Sequence, residues 1–237
     1  MLTKGGHSCF SGHWTDLMLS AAGRAGQGVT YMQIDPSVIS NADNYKLLTN
    51  LIVPRPIAWI TSQSRDGAVN LAPFSFFNAV SGAPPYIIFS AGLNEAGEPK
   101  DTAGNIRVNG EFVVNLVTED LFGAMNLSAA DFPPGQSELT AAHLHAAPSV
   151  RIKVPRVEEA QVSLECRLHS EQPLGTNTLF IGEVVMFHIA DKLVGPSLHI
   201  ENFAPIGRLG SPSVYCRTTD RFDVARVTYA QWRRENG

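Results

Sequence analysis

The alternation of apolar and polar residues predicts that β-strands dominate this chain. Residues 161–169, QVSLECRLH, place an apolar residue at every second position, with Ser163 and Glu165 on the opposite face. Alternate side chains of a strand share a face, so this pattern predicts a half-exposed strand. Residues 178–191, TLFIGEVVMFHIAD, are almost continuously apolar, which predicts a strand buried on both faces or curling within a barrel. Gly182 would then mark a bulge or bend.

Further segments complete the predicted order of elements. Three more apolar runs, each bounded by Pro, Gly or Asn, predict strands at residues 55–62, 86–91 and 111–117. The intervening PLGTN predicts a hairpin loop at residues 173–177. Helical patterns are few and cover residues 44–51, 101–109 and 119–130. We therefore expect one mainly β, barrel-like domain with a few short helices over residues 32–228.

The two ends of the chain differ from this domain. Residues 1–31 are rich in Gly, Ser and His without sustained periodicity, and they predict a loosely ordered N-terminal extension. His7 and His13 have the chemistry to ligate a metal, but a loose tail is the favoured interpretation. Residues 229–237 form a charged C-terminal tail without a functional pattern.

Composition narrows the possible partners. The 237 residues are 44% apolar, enough for a real core, and 18 basic against 22 acidic residues give a net charge of −4. This balance argues against nucleic acid or anionic lipid as a partner, so any anion must be bound locally. Cys9, Cys166 and Cys216 are odd in number and widely spaced, which argues against a disulfide scaffold and a metal site. Without an export signal or a long apolar run, we expect a cytoplasmic protein and no membrane partner.

The first segment with candidate chemistry is NLAPFSFFNAVS, residues 70–81. It places Ser75, Asn78 and Ser81 among phenylalanines, and a buried polar group without a hydrogen-bond partner costs about 1–3 kcal/mol. Two explanations are open. Either these side chains cap turns by bonding their own backbone, or a bound polar ligand satisfies them.

A second segment, GEPKDTAGNI at residues 97–106, predicts a loop followed by the start of a helix. Asp101 or Thr102 can cap that helix, and Lys100 stands just before its positive end. Free N–H groups, a hydroxyl and an ammonium group would meet there, a combination that binds phosphate. Capped helix starts are common, so a purely structural role is the alternative. Together with the Phe-rich segment, the pattern suits a ligand with a phosphate tail and a flat heterocycle.

These segments resemble the flavin reductase-like family of FMN-binding split β-barrel proteins. The resemblance follows the family's order of motifs: PRPIAWITS at 54–62, NLAPFSFFNAVS at 70–81, PP at 84–85, KDTAGNI at 100–106, EFVVN at 111–115 and PIGRLGSPSVY at 205–215. It implies a Greek-key-like split barrel that forms a homodimer and holds FMN in a groove near the subunit interface. The family more often has two glycines where this chain has Gly210 and Ser211.

The resemblance also assigns residues to the cofactor. Those that would line the flavin or reach its ribityl chain are Ser75, Phe76, Phe77, Asn78 and Ser81. Lys100 and Thr102 would bind the phosphate, and Arg55 and Trp59 would lie close to the ring or the phosphate. Asn105 is a further cofactor-binding candidate. Arg208 would bind the phosphate, grip a nicotinamide or pair with a carboxylate, and His199 would stand on the substrate side of the flavin or be structural.

The implied activity is the transfer of hydride from NADH or NADPH to FMN, with electrons passed on to a flavin, oxygen, a metal or a monooxygenase. Flavin carries this chemistry, and the protein tunes it through N–H groups near the ring, here from residues 57–62 or 75–78. The sequence has no GxGxxG segment after a strand, so the nicotinamide would dock on the flavin itself. Alternatives are a non-catalytic FMN-binding electron carrier and an FMN-dependent oxidase on the same barrel.

Overall fold

The computed structural model describes residues 29–133, 136–210 and 212–236. Contacts between residues divide the chain into two units, Met1–Asn44 and Tyr45–Gly237. His7, His13 and most of the expected extension over residues 1–31 lie outside the described residues, as does Ser211.

The described residues are mainly β, as predicted. The helices are α1 (Asn41–Leu51), α2 (Asp101–Asn109), α3 (Phe122–Leu127), α4 (Glu138–Ala141) and α5 (Tyr229–Asn236). The strands are β1 (Ala58–Gln63), β2 (Val69–Phe74), β3 (Phe77–Gly82), β4 (Pro85–Ala91), β5 (Glu111–Leu116), β6 (Ala146–Ala147), β7 (Arg156–Val157), β8 (Val162–Leu174), β9 (Asn177–Ile189), β10 (Ile206–Arg208) and β11 (Tyr215–Arg217). None of the helices in this part of the chain is long and apolar enough to cross a membrane.

One seven-stranded antiparallel sheet forms the body of the protein, in the order β2-β1-β5-β8-β9-β4-β3. Strands β2 and β3 lie at opposite ends of this order, yet only Ser75 and Phe76 separate them along the chain. Two residues span less than about 12 Å between their flanking Cα atoms, so the sheet must curl until its edges approach each other. The predicted barrel-like fold is confirmed.

Most element positions follow the sequence pattern. Helix α2 has the predicted bounds, and it ends where Gly110 adopts a left-handed φ of 68° that glycine tolerates without strain. Helix α1 starts earlier than the expected residue 44, because Ser40 accepts a hydrogen bond from the Asp43 amide at 3.0 Å and so caps it. The predicted helix over residues 119–130 is a 3₁₀ turn followed by the shorter α3.

Aromatic side chains fill the barrel interior. The ring of Phe89 stacks on Phe180 with centroids 5.0 Å apart and meets Phe112 edge-on at 5.5 Å. Along β9, buried residues alternate with partly exposed ones, so of the two interpretations of its apolar run the curling barrel strand is the one observed. The bulge expected near Gly182 lies on the partner strand at His169, where the β8–β9 register shifts.

Gly182 is required by packing, and its replacement gives a stability prediction. A Cβ atom at this position would overlap the Phe112 ring tip and approach Ile87 Cδ1 to 3.4 Å. Phe112 is fully buried and packs against Phe89, so we expect Gly182→Ala to lower the free energy of unfolding by about 1–3 kcal/mol. Denaturant unfolding measures this change. The control is Gly123→Ala in α3, whose Cβ would meet nothing within 4 Å; equal stability of both variants would contradict the prediction.

Strand β8 corrects one expectation. Ser163 and Glu165, predicted to face solvent, are both fully buried. The reason is that residues 149–157 cover this face: the Val150 and Arg151 amides donate to the Glu165 carboxylate at 2.6 and 2.7 Å. Burial raises the pKa of Glu165, but these bonds and the one from His188 outweigh it and leave that pKa lowered. The polar face of β8 can be buried because backbone amides from another segment bond the Glu165 carboxylate.

Candidate functional site

Three cavities follow one another along residues 70–82, the segment that contains β2, the Ser75–Phe76 link and β3. The first, which we call the polar pocket, touches residues 70–73 and has a volume of about 170 Å³. The second, the cleft, touches residues 75–78 and has about 260 Å³. The third, the apolar groove, touches residues 77–82 and has about 720 Å³. One segment thus borders a polar cavity at one end and a large apolar one at the other.

The apolar groove has the size of a small-molecule site, for which about 300–1,000 Å³ is typical. The edge strand β3, the neighbouring β4 and the segment before β1 form its walls, and β10 contributes Ile206 and Gly207. Phe77, Tyr86 and Phe187 supply aromatic surface. A flat apolar ring system is the kind of ligand that such walls accommodate.

The polar pocket lies at the N-terminus of α2. Lys100 precedes this helix and its ammonium group lines the pocket together with Thr102 and Asn70. The fully buried Thr102 hydroxyl accepts a hydrogen bond from Asn70 Nδ2 at 2.9 Å, so its own O–H is not used in that bond. The Ala103 amide already bonds the Lys100 carbonyl at 2.9 Å, so the amides of Asp101 and Thr102 are the ones that precede the first hydrogen bond of α2, and the helix dipole favours an anion beside them.

Carboxylates share this pocket with Lys100. Asp131 Oδ1 accepts a hydrogen bond from Lys100 Nζ at 2.8 Å, and this bond, helped by one from the Glu95 amide, lowers the pKa of Asp131. Glu138 is buried beneath the pocket, where burial raises its pKa, and it accepts a bond from the Leu71 amide at 3.0 Å. The lysine therefore has a partner of opposite charge within the chain.

Arg55 lines the cleft and bonds several backbone groups around it. Its guanidinium is buried, and burial lowers its pKa. It donates to the carbonyl oxygens of Thr49, Ile52 and Leu209, the last two at 2.9 and 2.8 Å, and its Nε lies 3.4 Å from Ser75 Oγ. These bonds tie the end of α1 and the segment after β10 to the Ser75–Phe76 link, so Arg55 supports the cavity walls.

The structure gathers most of the residues that the family resemblance assigned to the flavin. Arg55, Ser75, Phe76, Phe77 and Asn78 surround the cleft. Ser81 lies farther along, in the apolar groove. Lys100 and Thr102 meet in the polar pocket.

Four other candidates do not line any of the three cavities. Trp59 is fully buried because β1 is a central strand, and its indole N–H donates to Ser128 Oγ at 2.8 Å. Asn105 donates to Ser62 Oγ at 3.2 Å and lines a separate pocket. The Arg208 guanidinium stacks on Tyr215 at 4.5 Å and bonds the Pro212 carbonyl, and His199 is an exposed turn residue. We do not include these four side chains in the candidate site.

The polar residues of the Phe-rich segment are partly satisfied by their own backbone. Asn78 Oδ1 accepts a bond from the Ala79 amide at 2.8 Å, and Ser81 Oγ accepts one from Ala83 at 3.3 Å. Both side chains are exposed in the single chain, so each also retains groups open to a ligand. Of the two ranges expected to supply N–H groups near a ring, 57–62 lies mostly in β1, which pairs with strands on both sides, whereas 75–78 comprises the Ser75–Phe76 link and the start of β3, which pairs with β4.

Sequence reasoning missed several cavity residues. Pro54, Tyr86 and Gly207 line the apolar groove, and Asp131 and Glu138 line the polar pocket. The first three lie within or beside the family motifs at 54–62, 84–85 and 205–215, so these motifs could have identified them. The two acids come from a separate part of the chain, and no local pattern marks them.

The fold and cavities define a small curled antiparallel β-barrel with a ligand-sized groove beside an edge strand. Residues 50–230 match the flavin reductase like domain, and the chain therefore belongs to this family of split-barrel proteins. The resemblance inferred from the motifs is confirmed.

Individual relatives agree with this assignment. Nitrilotriacetate monooxygenase component B from Bacillus cereus is 40% identical, with a TM-score of 0.79 over 83% of this chain and 100% of that one. The 2-nitrobenzoate 2-nitroreductase NbaA of Pseudomonas fluorescens is 34% identical, with a TM-score of 0.76 over 84% and 98%. A Deinococcus radiodurans protein is 37% identical over 215 residues, 87% of this chain and 95% of its own length.

Proposed function

We propose that this protein is an NAD(P)H-dependent FMN oxidoreductase of the flavin reductase type that binds FMN along residues 70–82. Membership in the family supports a flavin cofactor and an oxidoreductase activity. The observation that carries the proposal is the succession of a polar pocket, a cleft and an apolar groove along one segment. Pro73 lines the polar pocket and Phe77 lines the apolar groove. Their Cα atoms are at most about 14 Å apart, a distance that one small ligand can span.

The residues present fit the parts of FMN. Lys100, Thr102 and the first turn of α2 would hold the phosphate. The groups at residues 75–78 would bond the ribityl chain and the polar edge of the ring, while Phe77 and Tyr86 would pack on its apolar surface. When bound, the flavin supplies the hydride and electron transfer. The protein's own contribution is to orient it, to exclude water from its buried face and to leave one face open for a nicotinamide.

A second copy of the chain would complete this site. Within the part of the chain that the structure describes, strand β3 pairs only with β4, and residues 78–82 are exposed, including the apolar Val80 at 54%. Unpaired edge strands with exposed apolar residues are typical of surfaces that another chain covers. We therefore include a homodimer in the proposal, with the flavin close to the subunit interface. Sedimentation of the purified protein tests it, and a monomer at micromolar concentration would contradict it.

Two electron acceptors are supported by the relatives. Component B of nitrilotriacetate monooxygenase, at 40% identity, supports delivery of reduced flavin to a monooxygenase. The 2-nitroreductase NbaA, at 34% identity, together with the aromatic walls of the apolar groove, supports direct reduction of an aromatic acceptor as a second candidate. Stimulation of NADH oxidation by 2-nitrobenzoate, without added free FMN, would favour the second candidate.

The spectrum and turnover of the purified protein test the central proposal. We expect the absorbance spectrum of FMN to shift on titration with the protein, and oxidation of NADH or NADPH that depends on FMN. Flavin binding without oxidation of either nicotinamide would point to an electron carrier instead. Anaerobic bleaching of the flavin by an amine would point to an oxidase, and failure to bind FMN at all would exclude every form of the proposal.

A further inference from the structure

The polar pocket already contains an anion supplied by the chain. Asp131 accepts bonds from two donors at once: Lys100 Nζ at 2.8 Å through Oδ1, and the Glu95 amide at 3.2 Å through Oδ2. Asp131 itself lines the pocket beside Asp101 and Thr102. A carboxylate thus engages the one ammonium group that lines this pocket within the described residues.

We propose that Asp131 competes with the flavin phosphate for Lys100 and thereby sets how tightly a phosphate-bearing flavin is held. This inference rests on the proposed binding of FMN at the polar pocket. Both side chains of the ion pair are about one-third exposed, so water screens their attraction and the pair is weak. A dianionic phosphate forms stronger charge-assisted bonds and can displace the carboxylate.

Displacement does not remove the carboxylate from the neighbourhood. The bond to the Glu95 amide holds Asp131 at the pocket wall, so its charge continues to oppose the phosphate. Asp101 and Glu138 also line the pocket, so two further carboxyl groups lie near the phosphate. The consequence is a flavin that exchanges with solution, as a diffusible substrate would, instead of a permanently bound cofactor. Riboflavin lacks the phosphate, so Asp131 does not affect its binding.

The test is the ratio of the dissociation constants of riboflavin and FMN, measured by quenching of flavin fluorescence in wild type and Asp131→Asn. Asparagine has the same shape and keeps an oxygen for the Glu95 amide, so it removes the charge and preserves the loop contact. We expect the ratio to rise about tenfold, entirely through tighter binding of FMN. FMN dissociation in stopped-flow measurements should slow accordingly.

The matched control is Glu171→Gln. Glu171 also pairs with a basic side chain of the same region, Arg107 on α2, at 2.8 Å, and with similar exposure, but it lines none of the three cavities. Glu171→Gln removes one negative charge, as Asp131→Asn does. We expect its ratio of riboflavin to FMN dissociation constants to stay within twofold of wild type. If both variants tighten FMN binding alike, the effect is a general one of charge and the specific role of Asp131 is overturned.

Other outcomes separate this inference from the proposed function. If wild type prefers FMN over riboflavin but folded Asp131→Asn does not increase that preference, the proposed pocket stands and Asp131 is no competitor. If neither protein prefers FMN, the phosphate is not held at this pocket, and both proposals about it fail. Should Asp131→Asn fold poorly by circular dichroism, Asp131→Ser provides the same comparison with a smaller neutral acceptor.

Discussion

Replacing Lys100 with alanine is expected to weaken FMN binding by about ten- to hundredfold. The ammonium group is the cation of the polar pocket, and a charge-assisted hydrogen bond to phosphate contributes about 1–3 kcal/mol. The loss also frees the Asp131 carboxylate, now without its partner at 2.8 Å, to repel the ligand. Titration of the protein with FMN, followed by flavin fluorescence, measures the change.

Riboflavin and a second lysine provide the controls for this experiment. Affinity for riboflavin should change less than twofold in Lys100→Ala, because that ligand has no phosphate to lose. Lys192→Ala removes the same charge from an exposed turn outside the three cavities and should leave both affinities unchanged. The double variant Lys100→Ala/Asp131→Asn should recover part of the lost FMN affinity. Unchanged FMN affinity in Lys100→Ala would relocate the phosphate to another part of the chain.

Replacing Arg55 with alanine is expected to lower the free energy of unfolding by about 3–4 kcal/mol. The buried guanidinium donates to three carbonyl oxygens, of Thr49, Ile52 and Leu209, and each buried acceptor left without a donor costs about 1–3 kcal/mol, reduced where water enters. The affinity for the flavin should fall as well, since Arg55 ties together the walls of the cleft. Denaturant unfolding and FMN titration measure the two effects.

Two further variants sharpen the interpretation. Arg65→Ala, in the exposed turn between β1 and β2, removes an arginine without altering the cleft and should change stability by less than about 0.5 kcal/mol. Arg55→Lys keeps the charge but lacks the planar fork that reaches several carbonyls, so it should be nearly as unstable as Arg55→Ala. Wild-type stability in Arg55→Lys would mean that charge, and not the set of hydrogen bonds, explains the role of this residue.

Local patterns predicted the fold well where an element depends on its own residues. Helix α2 has the predicted bounds because a loop, a charged first turn and Gly110 mark both of its ends. The hairpin at residues 173–177 is equally local, with β8 and β9 meeting at Gly175 and Thr176. Strand β8 shows where such reasoning fails. Its polar face was expected in solvent, but Glu165 is buried by a segment that precedes it in the chain, and alternation carries no information about such a cover.

The candidate site divides in the same way. Lys100 and Thr102 could be identified because the start of a helix is an anion site by virtue of a few adjacent residues. The residues at 75–81 could be identified because polar side chains among phenylalanines require hydrogen-bond partners, which a ligand can supply. Trp59 lies in the core, where its indole N–H meets Ser128, sixty-nine residues later in the chain. No local pattern distinguishes such a tryptophan from one beside a ligand.

The sequence by itself determined the barrel-like β fold, the helix that starts after Lys100 and the family to which the chain belongs. These depend on periodicity, caps and motif order, which short segments carry. Only the tertiary structure pairs Asp131 with Lys100, places Arg55 beside the cleft and forms the three cavities next to residues 70–82. Charge pairing and burial arise between segments far apart in the chain, and their partners are set by how the sheet curls.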